Sequence, residues 1–146
     1  AQGHQALSDD ERFAAVFNWT PRTSLSIVDV EQRRFTAEVD IPGCSLVYAA
    51  GPRRFFSLCA DGAALVVTID DDGHEVSKAR TAPFFDPRKD PVTEKAERWG
   101  DQWLFVSFEG MVVPVDVAGA QLAFGESWPL FDASDRSDAW RVGGNQ

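Results

Sequence analysis

A repeated pattern of short apolar segments is the feature of this sequence that most constrains its fold. An apolar arm, a turn and a second apolar run recur three times along the chain. The second runs end in Val28-Asp29, Ile69-Asp70 and Val115-Asp116, which are separated by 41 and 46 residues. A period of about 40–50 residues with about four short strands per copy is typical of β-propeller blades. The repeat therefore predicts an all-β protein built from four-stranded antiparallel blades.

Turn residues and breaks in the period set the expected domain boundaries. We expect a partial β-propeller over residues 1–146, divided into a blade at 1–41, a blade at 42–82, an insertion at 83–99, a blade at 100–127, an insertion at 128–140 and the start of a further blade at 141–146. Closed propellers contain about four to eight blades. Because only about three are counted, and the chain begins without Met, we expect a fragment of a longer polypeptide.

The two expected insertions are rich in aromatic residues. Insertions in repeat proteins fall on loops, often on the binding face, and aromatic side chains are enriched at protein interfaces. The alternative is that these rings fold back as small satellite cores beneath the loops. The candidate subunit-interface residues are Phe84, Phe85, Trp99, Trp128, Phe131 and Trp140.

Composition excludes several classes of function. The net charge of −9 disfavours nucleic acid and anionic membranes as partners, because their phosphates would be repelled. No apolar run approaches the ~20 residues of a membrane span, and the residues from Ala1 to His4 show neither the basic start nor the apolar stretch of a signal peptide. We therefore expect neither a nucleic-acid-binding nor a membrane-embedded protein.

Motifs for catalysis or metal binding are not found in the sequence. There is no nucleophile elbow, phosphate-binding glycine loop or zinc-protease helix. The acidic segment from Asp70 to Glu75 lacks the spacing of a calcium loop and falls where the repeat places a hairpin turn. We therefore expect no catalytic, cofactor-binding or metal-ligating residue in this chain.

Cys44 and Cys59 are the only two cysteines. They flank the predicted hairpin that turns at Gly51-Pro52, so antiparallel pairing would bring them within the ~4.4–6.8 Å Cα separation of a disulfide. A bridge would indicate an oxidising compartment. The alternative is two buried free thiols that pack as small hydrophobic side chains.

Three stretches together resemble a known family. They are Ser26–Asp29 continuing to Asp40–Cys44, then Phe55–Gly62, and finally Asp135–Gln146 with its Asp-Xaa-Trp-Arg-Xaa-Gly-Gly segment. In this order they resemble the heavy subunit of the tryptophan tryptophylquinone amine dehydrogenases. The sequence is more similar to aromatic amine dehydrogenase than to methylamine dehydrogenase.

The resemblance implies a division of labour between two subunits. The heavy subunit is a seven-bladed propeller in a periplasmic α2β2 assembly. The small subunit carries the catalytic Asp and the quinone cofactor, tryptophan tryptophylquinone, which is built from two of its own Trp side chains. No catalytic role is therefore expected for the five tryptophans of this chain, Trp19, Trp99, Trp103, Trp128 and Trp140.

Three functions are consistent with the sequence. The first is a non-catalytic scaffold subunit of an enzyme that converts primary, preferably aromatic, amines to aldehydes and passes electrons to an azurin-like or amicyanin-like blue-copper protein. The second is a propeller binding module without an enzyme. The third is a propeller lactonase with a metal in its channel, although no suitable set of inward-pointing ligands is seen.

Overall fold

Three antiparallel β-sheets make up the part of the chain that the computed structural model describes, residues 3–136. The predicted all-β class is confirmed. The chain divides into two compact units, unit 1 (Ala1–Phe84) and unit 2 (Phe85–Gln146). Unit 1 contains two sheets and unit 2 contains the third.

The first sheet of unit 1 has the order β1-β2-β3-β4, and the second has the order β5-β6-β7-β8. Each strand pairs with the one before it in the chain, which is the simple meander expected of a propeller blade. The strands of the first sheet are β1 (Gln5–Leu7), β2 (Phe13–Asn18), β3 (Ser24–Asp29) and β4 (Arg34–Asp40). Those of the second are β5 (Cys44–Ala49), β6 (Arg54–Cys59), β7 (Ala64–Ile69) and β8 (Glu75–Arg80).

The core of unit 1 is formed by side chains that alternate along the strands. Phe13 and Ala15 on β2 and Leu25 and Ile27 on β3 are fully buried, because successive residues of a strand point to opposite faces. They form one hydrophobic cluster with side chains of the second sheet, including Phe55. The two sheets of unit 1 therefore share a core, as neighbouring blades do.

Unit 2 contains the third sheet and a short helix. The strands are β9 (Val92–Trp99), β10 (Gln102–Ser107), β11 (Met111–Asp116), β12 (Ala123–Phe124) and β13 (Trp128–Pro129), and the helix is α1 (Ala133–Arg136). The sheet order is β9-β10-β11-β12, and β13 also pairs with β11. The outer strand is thus divided into two short pieces.

Pro114 explains why the outer strand of unit 2 is divided. Its carbonyl oxygen accepts a hydrogen bond from the Gly125 N–H, at 3.1 Å, so the backbone of Pro114 faces the outer strand. Proline has no N–H to continue the ladder there. The chain consequently leaves the sheet after Phe124 and pairs again at Trp128.

The structure differs from the sequence prediction over residues 92–99. The prediction placed these residues in an insertion, whereas they form β9, which pairs with β10 from Gln102↔Trp99 to Ser107↔Val92. Only Ala96 on this strand is buried, so its sequence carries no alternating apolar pattern. The loop before β9 is correspondingly shorter than expected.

Two pairings give different offsets between the first and second sheets. In the pairing of the second and third strands, Asp29 and Thr68 each face the first residue of the second strand, as Asp116 does in the third sheet. In the pairing of the third and fourth strands, the register shift follows Ile27 in the first sheet and Thr68 in the second. This second pairing aligns Asp29 with Asp70, as the sequence predicts.

Candidate functional site: exposed aromatic side chains at the strand ends

The Cys44–Cys59 disulfide is present in the structure, with an S–S distance of 2.06 Å. The two cysteines face each other across β5 and β6. Their N–H groups bond to Ile41 and Ala63 rather than to each other, so they form a non-hydrogen-bonded pair. Such pairs have the closest Cα atoms in an antiparallel sheet, which accounts for a Cα–Cα distance of 3.9 Å, shorter than the predicted range.

Two guanidinium groups lie over one buried aromatic ring in unit 1, at the opposite end of the strands from the disulfide. The Cζ atoms of Arg12 and Arg53 are each 4.9 Å from the ring centroid of Phe13. The two arginines occupy equivalent positions in the first and second sheets, since their carbonyls accept the N–H groups of Val30 and Ile69. We call this arrangement the Arg–Phe–Arg stack.

Carboxylates hold the Arg–Phe–Arg stack in place. Arg53 donates to Asp10 at 2.7 Å and to Asp71 at 2.9 Å, and Arg12 lies 3.5 Å from the fully buried Asp29. A hydrogen bond from the Ser8 hydroxyl, together with Arg53, lowers the pKa of Asp10 to about 2. Asp10 belongs to the first sheet and Asp71 follows the third strand of the second, so the network joins the two sheets.

The acidic turn at Asp70 uses its carboxylate within the backbone. Asp70 Oδ1 accepts hydrogen bonds from the N–H groups of Asp72 and His74, both at 2.9 Å. The bond from His74 is the main cause of a lowered pKa for Asp70. Among residues 3–136 no group of three or more His, Cys, Asp or Glu side chains is placed to hold a metal ion.

Four apolar side chains are exposed near one end of the sheet in unit 2. Trp128 is 47% exposed, and Leu130 and Phe131 follow it on the surface. The Leu130 N–H donates to the Gly110 carbonyl at 2.8 Å, which holds this segment against the β10–β11 turn. Phe108, in that turn, is also exposed. Trp128 and Phe131 are among the interface residues that the sequence predicts, whereas Phe108 and Leu130 are not.

Trp99 lies at the opposite end of the same sheet. It pairs with Gln102 at the β9–β10 turn, whereas Trp128 pairs with Val112 near the β10–β11 turn. A six-residue strand is about 17 Å long, so the two tryptophans belong to separate surfaces. Trp99 is nevertheless the most exposed of the described candidates, at 71%.

The remaining candidate interface residues have different surroundings. Phe84 and Phe85 are half-buried, and the Phe84 N–H donates to the Gly62 carbonyl in the β6–β7 turn of unit 1. Trp140 lies outside the described residues. The five candidates that lie in the described part of the chain therefore do not form one cluster.

An exposed aromatic group in unit 1 was not among the sequence candidates. Trp19 is 70% exposed and its ring meets Phe17 edge to face at 6.1 Å, while Phe17 meets His4 at 6.3 Å. Trp19 lies in the β2–β3 loop, which also contains a cis Thr20-Pro21 bond. A single exposed Trp in a short loop leaves no periodic pattern in the sequence from which its exposure could be predicted.

Meandering four-stranded sheets with loops at their ends define the chain as part of a β-propeller, and solved structures support this. The dihydro-heme d1 dehydrogenase NirN matches with a TM-score of 0.58 and 20% identity, over 86% of this chain and 28% of that one. The Cps50 (Swd1) propeller domain of Myceliophteria thermophila matches with a TM-score of 0.56 and 15% identity, over 94% and 42%. At these identities the likeness establishes the fold alone.

The chain belongs to the methylamine dehydrogenase heavy chain family, whose sequence model matches residues 2–146. Curated relatives named methylamine dehydrogenase heavy chain include those of Methylophilus methylotrophus, 22% identical over 96% of this chain and 35% of the relative, and Paracoccus versutus, 23% identical over 99% and 34%. The chain thus spans about a third of the length of these relatives. No helix among the described residues is long and apolar enough to cross a membrane.

Proposed function

We propose that this chain is part of the heavy subunit of a periplasmic quinoprotein amine dehydrogenase, in which it acts as a scaffold and carries no catalytic residue. The family match over residues 2–146 is the observation that carries the proposal. The disulfide adds support for the compartment, because such bonds persist in oxidising environments.

The proposed catalytic partner is a small subunit that contains tryptophan tryptophylquinone and the catalytic Asp, in an α2β2 assembly. The quinone would accept the two electrons released when a primary amine is converted to an aldehyde. A cofactor built from two Trp side chains requires neighbouring indoles. In this proposal those indoles belong to the small subunit, as the family resemblance implies.

The work of this chain is to hold loops in fixed positions. The Cys44–Cys59 bridge fixes one end of the second sheet, and the Arg–Phe–Arg stack joins the first and second sheets at the other end. A rigid platform that orients a reactive partner and excludes water from its pocket favours the reaction. The proposed contribution of the heavy subunit is therefore positioning.

The proposed substrates are primary aromatic amines, and the proposed electron acceptor is a blue-copper protein of the azurin or amicyanin type. The aromatic preference rests on sequence stretches that differ from the methylamine enzyme. We expect kcat/KM for 2-phenylethylamine to exceed that for methylamine in the purified assembly. The reverse order would remove the aromatic preference and leave the amine dehydrogenase function in place.

The scaffold role is tested by purifying the parent heavy chain from the periplasm together with whatever subunit accompanies it. We expect a small, cysteine-rich subunit that absorbs visible light and is bleached by amine, whereas the separated heavy chain shows neither property. A heavy chain that oxidises amines alone, or that purifies without such a partner, would contradict the proposal and favour a propeller binding module.

The two aromatic ends of unit 2 can be tested separately in the parent heavy chain. We expect Trp128→Ala to weaken binding of the small subunit by about tenfold, because Trp128 lies near three other exposed apolar side chains, Phe108, Leu130 and Phe131, and hot spots are enriched in Trp and cluster together. Trp99→Ala is the matched control at the opposite end of the sheet and should change the affinity less. An equal loss for both variants, measured by interferometry, would argue against a localised contact.

A further inference from the structure

Unit 2 contains a long stretch without any cationic residue. Residues 99–135 include no Lys, Arg or His, and they contain six acidic residues, Asp101, Glu109, Asp116, Glu126, Asp132 and Asp135. The whole chain has a net charge of −9, so most of the excess negative charge comes from this quarter of the sequence.

The fold brings several of these carboxylates to the exposed apolar side chains near the β10–β11 turn. Glu109 follows Phe108 in that turn, Glu126 precedes β13, and Asp132 follows Phe131; all three acidic residues are exposed. The hydrogen bond from Leu130 to Gly110 holds the two segments together. We define the anionic aromatic surface as Phe108, Trp128, Leu130 and Phe131 with Glu109, Glu126 and Asp132.

The carboxylates of this surface differ from three acidic residues of unit 1 that are held by arginines. There, Asp10, Asp40 and Asp61 each form an ion pair with an arginine. Glu109, Glu126 and Asp132 form no ion pair with any of the side chains described in residues 3–135. Three exposed carboxylates beside four exposed apolar side chains, 36–47% exposed, make a surface with an apolar centre and an anionic rim.

We propose that the anionic aromatic surface binds a protein whose contact face is an apolar patch ringed by Lys and Arg. The apolar centre would provide most of the affinity, since hot spots are aromatic and centrally placed. The rim would attract the oppositely charged partner and reject acidic proteins. The assignment of that partner as the small subunit rests on the proposed function.

A defined probe tests the surface without reference to enzyme activity. The probe is a fluorescent synthetic helix with Trp and Leu along one face and Lys beside them, and its control carries Glu in place of Lys. Binding to the purified parent heavy chain is measured by anisotropy. We expect the Lys probe to bind and the Glu probe to bind at least about tenfold more weakly.

Charge-reversal variants locate the binding. Glu126→Lys with Asp132→Lys should reduce the affinity for the Lys probe by about tenfold, and added salt should remove much of the difference. Glu31→Lys with Asp72→Lys is the matched control, because it makes the same change of charge at exposed turns of unit 1. Equal losses for the two pairs would overturn the proposal, since binding would then follow net charge alone.

Zero-length carbodiimide cross-linking of the native assembly tests the partner. We expect links from Glu109, Glu126 or Asp132 to lysines of the small subunit. Links only within the heavy chain, or only from other carboxylates, would overturn the inference while leaving the amine dehydrogenase function intact. If no quinone-bearing subunit is present, the proposed function fails, and the probe measurements alone decide whether the surface binds a basic partner.

Discussion

At the scale of single residues, Phe13 shows how a buried aromatic ring can pack against two charged side chains. Its side chain is fully buried, yet the guanidinium groups of Arg12 and Arg53 each lie 4.9 Å from its centre. The negative face of an aromatic ring attracts cations, and the carboxylates of Asp10 and Asp71 balance the charge of Arg53. The stack is therefore stable because the ring attracts the two cations and the carboxylates balance the charge of Arg53.

Asp10 makes the stability of this network dependent on pH. The pKa of Asp10 is lowered from 3.8 to about 2, so its contribution is complete above about pH 4 and is lost as the pH falls toward 2. We expect Asp10→Asn to lower the free energy of unfolding at pH 7 by about 1 kcal/mol. This value is reduced for solvent screening, since the side chain is 37% exposed.

The measurement is urea unfolding of the parent heavy chain and its Asp10→Asn variant at pH 7 and pH 2. The difference between the two should shrink at pH 2, where the carboxyl group is protonated in the unfolded state and about half protonated in the folded state. Asp72→Asn, at an exposed turn, is the control. A difference that is the same at both pH values would show that Asp10 acts through packing rather than charge.

The Cys44–Cys59 bridge gives a second prediction at this scale. It closes a sequence separation of 15 residues, for which the chain-entropy estimate is about 3 kcal/mol. Replacing both cysteines by Ala should lower the free energy of unfolding by about that amount. Protein isolated without reductant should contain no alkylatable thiol at these positions, and two reactive thiols would contradict both the bridge and the periplasmic assignment.

At the scale of elements, the β7–β8 turn is fixed by the close approach of Gly73 to the first sheet. Gly73 has φ +82°, and a Cβ atom there would lie 2.5 Å from Thr36 Oγ1 and 2.7 Å from Phe13 Cε1. The Gly73 carbonyl also accepts a hydrogen bond from the Thr36 hydroxyl, at 2.9 Å. The turn thus contacts Phe13, the ring of the Arg–Phe–Arg stack, and helps to join the two sheets of unit 1.

Gly73→Ala should therefore be far more destabilising than an ordinary turn substitution. We expect a loss of about 3 kcal/mol or more, from overpacking added to backbone strain. Gly43→Ala is the matched control, because Gly43 has φ +73° and its Cβ would meet nothing within 4 Å, so only the strain of about 1 kcal/mol remains. Equal melting temperatures for the two variants would disprove the close contact.

Strands with strong apolar alternation were predictable as elements, and strands without it were not. The segments that became β2, β3, β6 and β7 have buried residues in the expected positions. β9 carries Thr, Glu, Lys and Arg and buries only Ala96, so hydrogen bonding to β10 rather than side-chain burial defines it. Strands of this kind leave no pattern in a single sequence.

At the scale of the molecule, both sheets of unit 1 should become less protected from hydrogen exchange when the Arg–Phe–Arg stack is disrupted. Arg53→Ala removes a stacked guanidinium and its two ion pairs, with Asp10 and Asp71. We expect amide hydrogen exchange to become about tenfold faster in both sheets of unit 1, while exchange in unit 2 is unchanged.

Arg22→Ala is the control for this experiment. Arg22 also pairs with a carboxylate, that of Asp40, but its side chain is 62% exposed, and exposed ion pairs contribute little. If Arg53→Ala accelerated exchange only in the second sheet, the network would stabilise that sheet alone and would not join it to the first.

The sequence by itself determined the all-β class, the blade repeat, the cysteine pair and the family resemblance, because these depend on local alternation, turn residues and matched stretches. Tertiary structure decided the local registers, in which Thr68 matches Asp29 in the pairing of the second and third strands but matches Ile27 in the pairing of the third and fourth, because cross-strand hydrogen bonds and bulges fix register. It also separated Trp99 from Trp128 and placed Phe108 and Leu130 beside the latter. Such proximities arise from strand pairing between residues distant in the chain, which a single sequence does not encode as a pattern.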